Sequence, residues 1–112
     1  MTATASFKAL KDQYFLLDRN FNALFAACTL DTQRDELRAA YVNARDNFWE
    51  ARNRSFHDDE PLVKKLIADL KATQQEIEDS LQNLEDIVKT LQLVTAAVRL
   101  GSSLITMGSG IS

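Results

Sequence analysis

The chain has 112 residues, of which 46% are hydrophobic and 26% charged, a length that fits one domain with a modest core and proportions ordinary for a globular protein. Three Gly and one Pro are too few turn-formers for a strand-rich fold. The formal net charge of −3 makes nucleic acid a poor default partner, because phosphate binding wants a basic footprint.

Helix 1 is predicted over residues 6–28. Ser6 is its candidate N-cap, a hydroxyl able to accept from the exposed amides of a first turn. Phe7, Leu10, Tyr14, Leu17, Phe21, Leu24 and Cys28 follow at alternating steps of three and four, which places them on one stripe of a helix. Thr29 to Thr32 reads as a turn, with Asp31 or Thr32 as the next cap. Helix 2 is predicted over residues 32–56, with Leu37, Tyr41, Ala44, Phe48, Ala51 and Ser55 on its seam and Val42, Trp49 and Phe56 in a neighbouring row. Phe48 and Trp49 together resemble a partner-facing anchor, but a second row on a broad apolar face favours an internal position for Trp49.

His57, Asp58, Asp59, Glu60 and Pro61 punctuate the chain. Pro is tolerated in a first helical turn and acids before it complement the helix dipole. From Val63 through Leu70, Ile77, Leu84, Leu91 and Val98 to Ile105 the three-four alternation runs on without a Gly or Pro before Gly101. The spacing predicts one long helix over residues 61–106, with a break into a fourth helix near Thr73 or Ser80 as the competing arrangement. Residues 107–112 should fray. The expected fold is therefore all-α: a single domain over residues 1–112, built as an antiparallel helical bundle or coiled-coil hairpin with a long third helix.

Candidate chemistry is sparse. Cys28 is a lone cysteine, so no internal disulfide and no zinc cluster can form, and a reducing, cytoplasmic setting is the inference. The residues before Lys8 lack the basic start of a signal peptide. A Cys28–His57 dyad needs hydrogen-bond reach, whereas a helical hairpin puts the two residues at opposite poles. One His without a second ligand cluster predicts no metal, and a di-iron bundle site is excluded because Arg54 stands three residues before His57. No catalytic residue and no cofactor are expected. Arg38, Arg45 and Arg52 recur at steps of seven beside the helix 2 seam, the place for interhelical ion pairs, with Asp69 and Glu76 as candidate partners.

The segment from Thr90 onward is the most informative. Its only charge is Arg99, and as part of one long helix it overshoots the hairpin by some 30 Å. Exposing that apolar length costs roughly 25 cal/mol per Å². The expectation is a non-catalytic interaction or assembly protein that self-associates, as a dimer by the commonest symmetry, through Leu91, Val94, Ala97, Val98, Gly101, Leu104 and Ile105, with another protein as a further partner. The alternative is a membrane-active protein whose C-terminal segment inserts, although Arg99 in mid-segment is expensive in hydrocarbon.

Overall fold

A computed structural model describes residues 5–54, 56–82 and 86–108. Among the described residues there are four α-helices, α1 (Ala5–Ala27), α2 (Asp31–Ala51), α3 (Pro61–Leu81) and α4 (Ile87–Ser103), and α4 continues into a π-helical turn, Leu104–Gly108. Among the described residues there is no strand. The all-α bundle expected from the spacing is what forms. Its axes measure 44 × 21 × 21 Å, a short rod one helix long. α1 and α2 make one hairpin and α3 and α4 a second; α1 packs beside α3 and α2 beside α4.

The long third helix is the main correction. The element predicted over residues 61–106 is two helices: α3 ends at Leu81, one residue after the Ser80 alternative, and α4 begins at Ile87. α3 closes with the Gln82 amide donating to the Asp79 carbonyl at 3.3 Å. α4 opens on Asp86, whose Oδ1 accepts from the Lys89 amide at 3.0 Å, the work of an N-cap. The energetics favour the break. A turn of helix forgoes a few backbone hydrogen bonds worth about 1 kcal/mol each. Folding back buries Leu91, Val94, Val98 and Leu104 to 4% exposure or less, each contributing roughly 1.5–3 kcal/mol. Thr90 is fully buried at the hairpin's closed end, where its hydroxyl bonds that of Ser80. Leu84, counted on the predicted seam, lies outside the described residues.

α2 ends at Ala51, earlier than the predicted 56, because the chain needs residues 52–60 to pass from the end of α2 to the start of α3, which lies across the bundle. Ser55 lies outside the described residues. At the other end the cap is neither Asp31 nor Thr32. Leu30 is extended there, and Gln33 Oε1 reaches back to accept from the Thr29 and Leu30 amides at 2.8 and 3.1 Å. Met107 and Gly108 sit in the π-helical turn rather than in a frayed tail, and residues 109–112 lie outside the description.

The start of α1 shows how the hairpins are tied. Ser6 is not a cap but a helical residue with no exposure. The Asp58 carboxylate, from the α2–α3 connection, accepts from the Ala5 amide at 2.8 Å, from the Ser6 amide at 3.3 Å and from the Ser6 hydroxyl. A carboxylate at a helix N-terminus satisfies orphan amides and meets the positive end of the dipole. Asp58→Ala should destabilise the fold by about 1–2 kcal/mol, read as a lower midpoint in urea unfolding with an unchanged slope, while Asp59→Ala should leave the midpoint in place.

The core is aliphatic. Leu10, Leu17 and Leu24 of α1, Leu37 of α2, Leu70 and Ile77 of α3 and Val94 of α4 are essentially inaccessible. α2 faces the other helices with Ala40, Ala44 and Ala51, which lets α4 come close. α1 meets α4 through a polar contact. Gln13, 1% exposed, donates from Nε2 to the Ala97 carbonyl at 2.7 Å. A Cβ on Gly101 would stand 2.8 Å from Gln13 Oε1 and 3.1 Å from Leu10 Cδ2. Ala97 and Gly101 thus do permit close helix packing, but against α1 of their own chain.

Candidate interaction surface

Helical geometry separates two classes of apolar side chain on the first hairpin. At 100° per residue, Leu10, Leu17 and Leu24 point inward, and Phe7, Tyr14, Phe21 and Phe25 lie on the adjoining flank. On α2 the same division puts Leu37, Ala40 and Ala44 inside and Tyr41 and Phe48 on the flank. The flanks meet on the outer side of the α1–α2 seam. Phe7 and Tyr14 approach Phe48 at 5.7 and 5.6 Å between ring centroids, Tyr14 approaches Tyr41 at 5.7 Å, and Phe21 approaches Tyr41 at 5.0 Å and Phe25 at 5.8 Å. These spacings are those of favourable aromatic pairs. Phe15 and Trp49 extend the stripe sideways, at 5.7 and 6.2 Å from Phe48. Eight of the nine aromatic residues of the chain therefore lie along this seam: Phe15 and Trp49 are exposed and the other six are half-buried, Phe7, Phe21, Phe25 and Tyr41 against the core.

The face is only partly covered by its own chain. Phe15 and Val42 are each 39% exposed and Trp49 is 53% exposed. This corrects the internal position expected for Trp49. A broad apolar face on α2 was legible, but one side of it is used by α1 and α4 and the other is left open. The Tyr41 hydroxyl donates to Asp18 Oδ1 at 2.7 Å and lies 3.4 Å from the Tyr14 hydroxyl. These hydrogen bonds, to Tyr14 and to Asp18, push the Tyr41 phenol well above its ordinary range.

Cations border the stripe. The Arg38 guanidinium lies 4.9 Å from the Phe25 ring centre and Arg52 lies 4.7 Å from that of Trp49, with Arg34 and Lys11 at 5.9 Å from Phe25 and Phe15. Interhelical ion pairs to Asp69 and Glu76 do not form. Arg38 bonds Asp35 at 3.1 Å and Arg45 meets Asp46 at 3.7 Å, both on α2, and Asp69 pairs with Lys65 on α3. The reason is topological: α2 and α3 sit across the bundle from one another.

The seven residues expected to form an oligomer interface lie together, but inside the chain. Leu91, Val94, Ala97, Val98, Leu104 and Ile105 are at most 9% exposed and Gly101 is buried. The reason for expecting self-association there, an apolar overshoot left in water, disappears once α4 folds back onto α1, α2 and α3. No helix among the described residues is long and apolar enough to cross a membrane.

Cys28 and His57 are kept apart. Cys28 follows the end of α1, whereas His57 adjoins the residue that holds the start of α1, about 34 Å away along the helix. Cys28 is 4% exposed, and its Sγ donates to the Leu24 carbonyl at 3.3 Å. Burial pushes the thiol up from its ordinary value, the opposite of what a nucleophile needs. The Cys28 thiol should therefore react with Ellman's reagent at pH 8 orders of magnitude more slowly in the folded chain than in urea, at a rate set by opening of the bundle. Rapid labelling without denaturant would contradict this.

Comparison with known proteins found no match to a protein family, to a curated protein or to a solved structure.

Proposed function

We propose that this chain is a non-catalytic helical interaction or assembly module, and that it binds a protein partner with the aromatic face of the α1–α2 hairpin. One observation carries the reading. Phe15, Val42 and Trp49 stay exposed on the outer side of the α1–α2 seam, beside half-buried rings of which Phe7, Phe21, Phe25 and Tyr41 pack against the core. Aromatic residues contribute most to protein contacts when a partner completes their burial, and Trp and Arg are the residues most enriched at such sites. A contiguous exposed apolar patch on a small domain marks an interaction surface. Either a second copy or a different chain satisfies this reading, whereas an oligomer built on Leu91 to Ile105 would require the bundle to open.

Site-specific photocrosslinking tests it. A benzophenone amino acid placed at Phe15 or at Val42 should give protein adducts in extracts of the native source, and the same group at Lys71, an exposed position on α3, should give none. Trp49→Asp should remove the adducts while leaving the helical spectrum unchanged, because the side chain is half exposed. Equal labelling from all three positions, or none from Phe15 and Val42, would refute the reading. Dye release from anionic vesicles by the wild-type chain would favour insertion of the C-terminal helix instead.

A further inference from the structure

We propose that the partner on this face is an acidic amphipathic helix of another protein, its apolar residues on the aromatic stripe and its carboxylates on a rail formed by Arg38, Arg45 and Arg52. The inference rests on the reading of the hairpin face as an interaction surface and adds the chemistry of what binds there.

The rail follows from spacing. Residues seven apart on a helix return to nearly the same angle, about 10 Å further along. Arg38, Arg45 and Arg52 therefore form a straight row beside Tyr41 and Phe48, with Val42 and Trp49 on its far side. A second helix laid along the seam repeats with the same rise, so acids spaced by seven on it meet each arginine in turn. Guanidinium groups suit this task, since their planar fork binds a carboxylate with two parallel hydrogen bonds and stacks on aromatic rings. Arg38 and Arg52 already lie over Phe25 and Trp49.

The arginines are available to a partner. Among the described residues Arg52 has no acid partner. The carboxylates that meet Arg38 and Arg45 belong to Asp35 and Asp46, which are 74% and 60% exposed. Exposed pairs of this kind contribute little, so exchanging them for carboxylates in a drier interface costs little. Charge is also divided unevenly along the chain. Residues 5–54 carry eight of the thirteen basic residues and seven of the sixteen acidic ones, so the hairpin is the basic half of an acidic protein.

The same charges disfavour the other occupants. Pairing two copies of this face offers each rail Asp18 from α1 and Asp31, Asp35 and Asp46 from α2, acids that already bond Tyr41, Arg34, Arg38 and Arg45 of their own chain. A polyphosphate would run its unbroken charge past Asp31, Asp35 and Asp46, which stand among the arginines.

Trp49 is the only tryptophan, so its emission reports occupancy directly. The probe is a synthetic amphipathic helical peptide as long as α2, with Leu and Phe at alternating steps of three and four and Glu on both flanks. Two counterparts carry Gln or Lys at every Glu position. The Glu peptide should bind with a blue shift of Trp49 emission, about tenfold more tightly than the Gln peptide, and less tightly as salt rises. The Lys peptide should not bind. The triple variant Arg38→Glu, Arg45→Glu, Arg52→Glu should keep its helical spectrum and reverse the preference toward the Lys peptide.

Equal binding of all three peptides, or binding by none, would overturn the proposal. So would tighter binding of an oligothymidylate. A wild-type dimer in light scattering that the triple variant dissociates would overturn it in favour of a second copy. If crosslinks from Phe15 and Val42 persist while no peptide binds, only the acidic partner is refuted. If both fail, the interaction surface fails with it.

Discussion

Val94→Asp should leave the chain without a cooperative unfolding transition at 25 °C. Val94 is 1% exposed in the middle of α4, packed into the interior that all four helices share. The substitution removes an apolar side chain worth roughly 1.5–3 kcal/mol when buried and puts an unpaired carboxylate in its place, at a further cost of several kcal/mol. A domain of this size has about 5–15 kcal/mol in all, so most of the stability goes. Circular dichroism during heating would show a weak, sloping signal. Lys71→Ala, on an exposed position of α3, should melt with the wild type. The experiment also separates two architectures. If Leu91 to Ile105 were an interface between copies, Val94→Asp would yield a folded monomer from an oligomer. With α4 inside its own bundle, the same change unfolds the chain.

Gly101→Leu should lower the melting temperature by roughly 10 °C or more. The warrant is steric. A Cβ at this position would meet Gln13 Oε1 at 2.8 Å, Leu10 Cδ2 at 3.1 Å and Asn47 Nδ2 at 3.3 Å, and the leucine adds three further carbons beyond it. Overpacking of a tight site costs typically 1–3 kcal/mol and more where nothing can yield. Here the neighbours are held. Gln13 is tied to the Ala97 carbonyl at 2.7 Å, Asn47 Nδ2 donates to the Ser102 hydroxyl at 3.2 Å, and Leu10 has no exposure. Gly101→Ala is the informative companion. Its gain in helix propensity, about 1 kcal/mol, opposes the Gln13 contact, so Ala should lie much nearer the wild type than Leu. Equal melting of Gly101→Leu and wild type would mean that α4 does not approach α1 at this point.

The order of elements and the apolar faces were legible in the sequence. Alternating steps of three and four impose an amphipathic helix whatever lies around it, because the 3.6-residue turn is a local property of the backbone. The punctuation from His57 to Pro61 located the start of α3, but not the end of α2, which stops at Ala51. The separation of Cys28 from His57 followed from helix length alone.

Whether the third helix breaks was not decided by the sequence, although Ser80 was one of two candidate positions and α3 ends at Leu81, because a hairpin whose two arms face the same interior can keep its apolar alternation in step through the turn. The one local sign was Asp86, a capping residue among several. The site was harder still. Every aromatic residue lies before α3, and that asymmetry was the available signal. A helical wheel shows that Leu10 and Phe7, or Leu37 and Tyr41, share a broad apolar arc, but not which edge of the arc another helix will cover. That depends on α4 returning to fill the side of α2 lined by Ala40 and Ala44, a contact between segments some fifty residues apart. Once α4 is there, the seven residues from Leu91 to Ile105 are inside, the alanine side of α2 is closed, and the aromatic side faces outward with its arginines. Helical periodicity thus set which residues are apolar neighbours on each helix, while long-range packing of the second hairpin set which of those neighbours are core and which are surface.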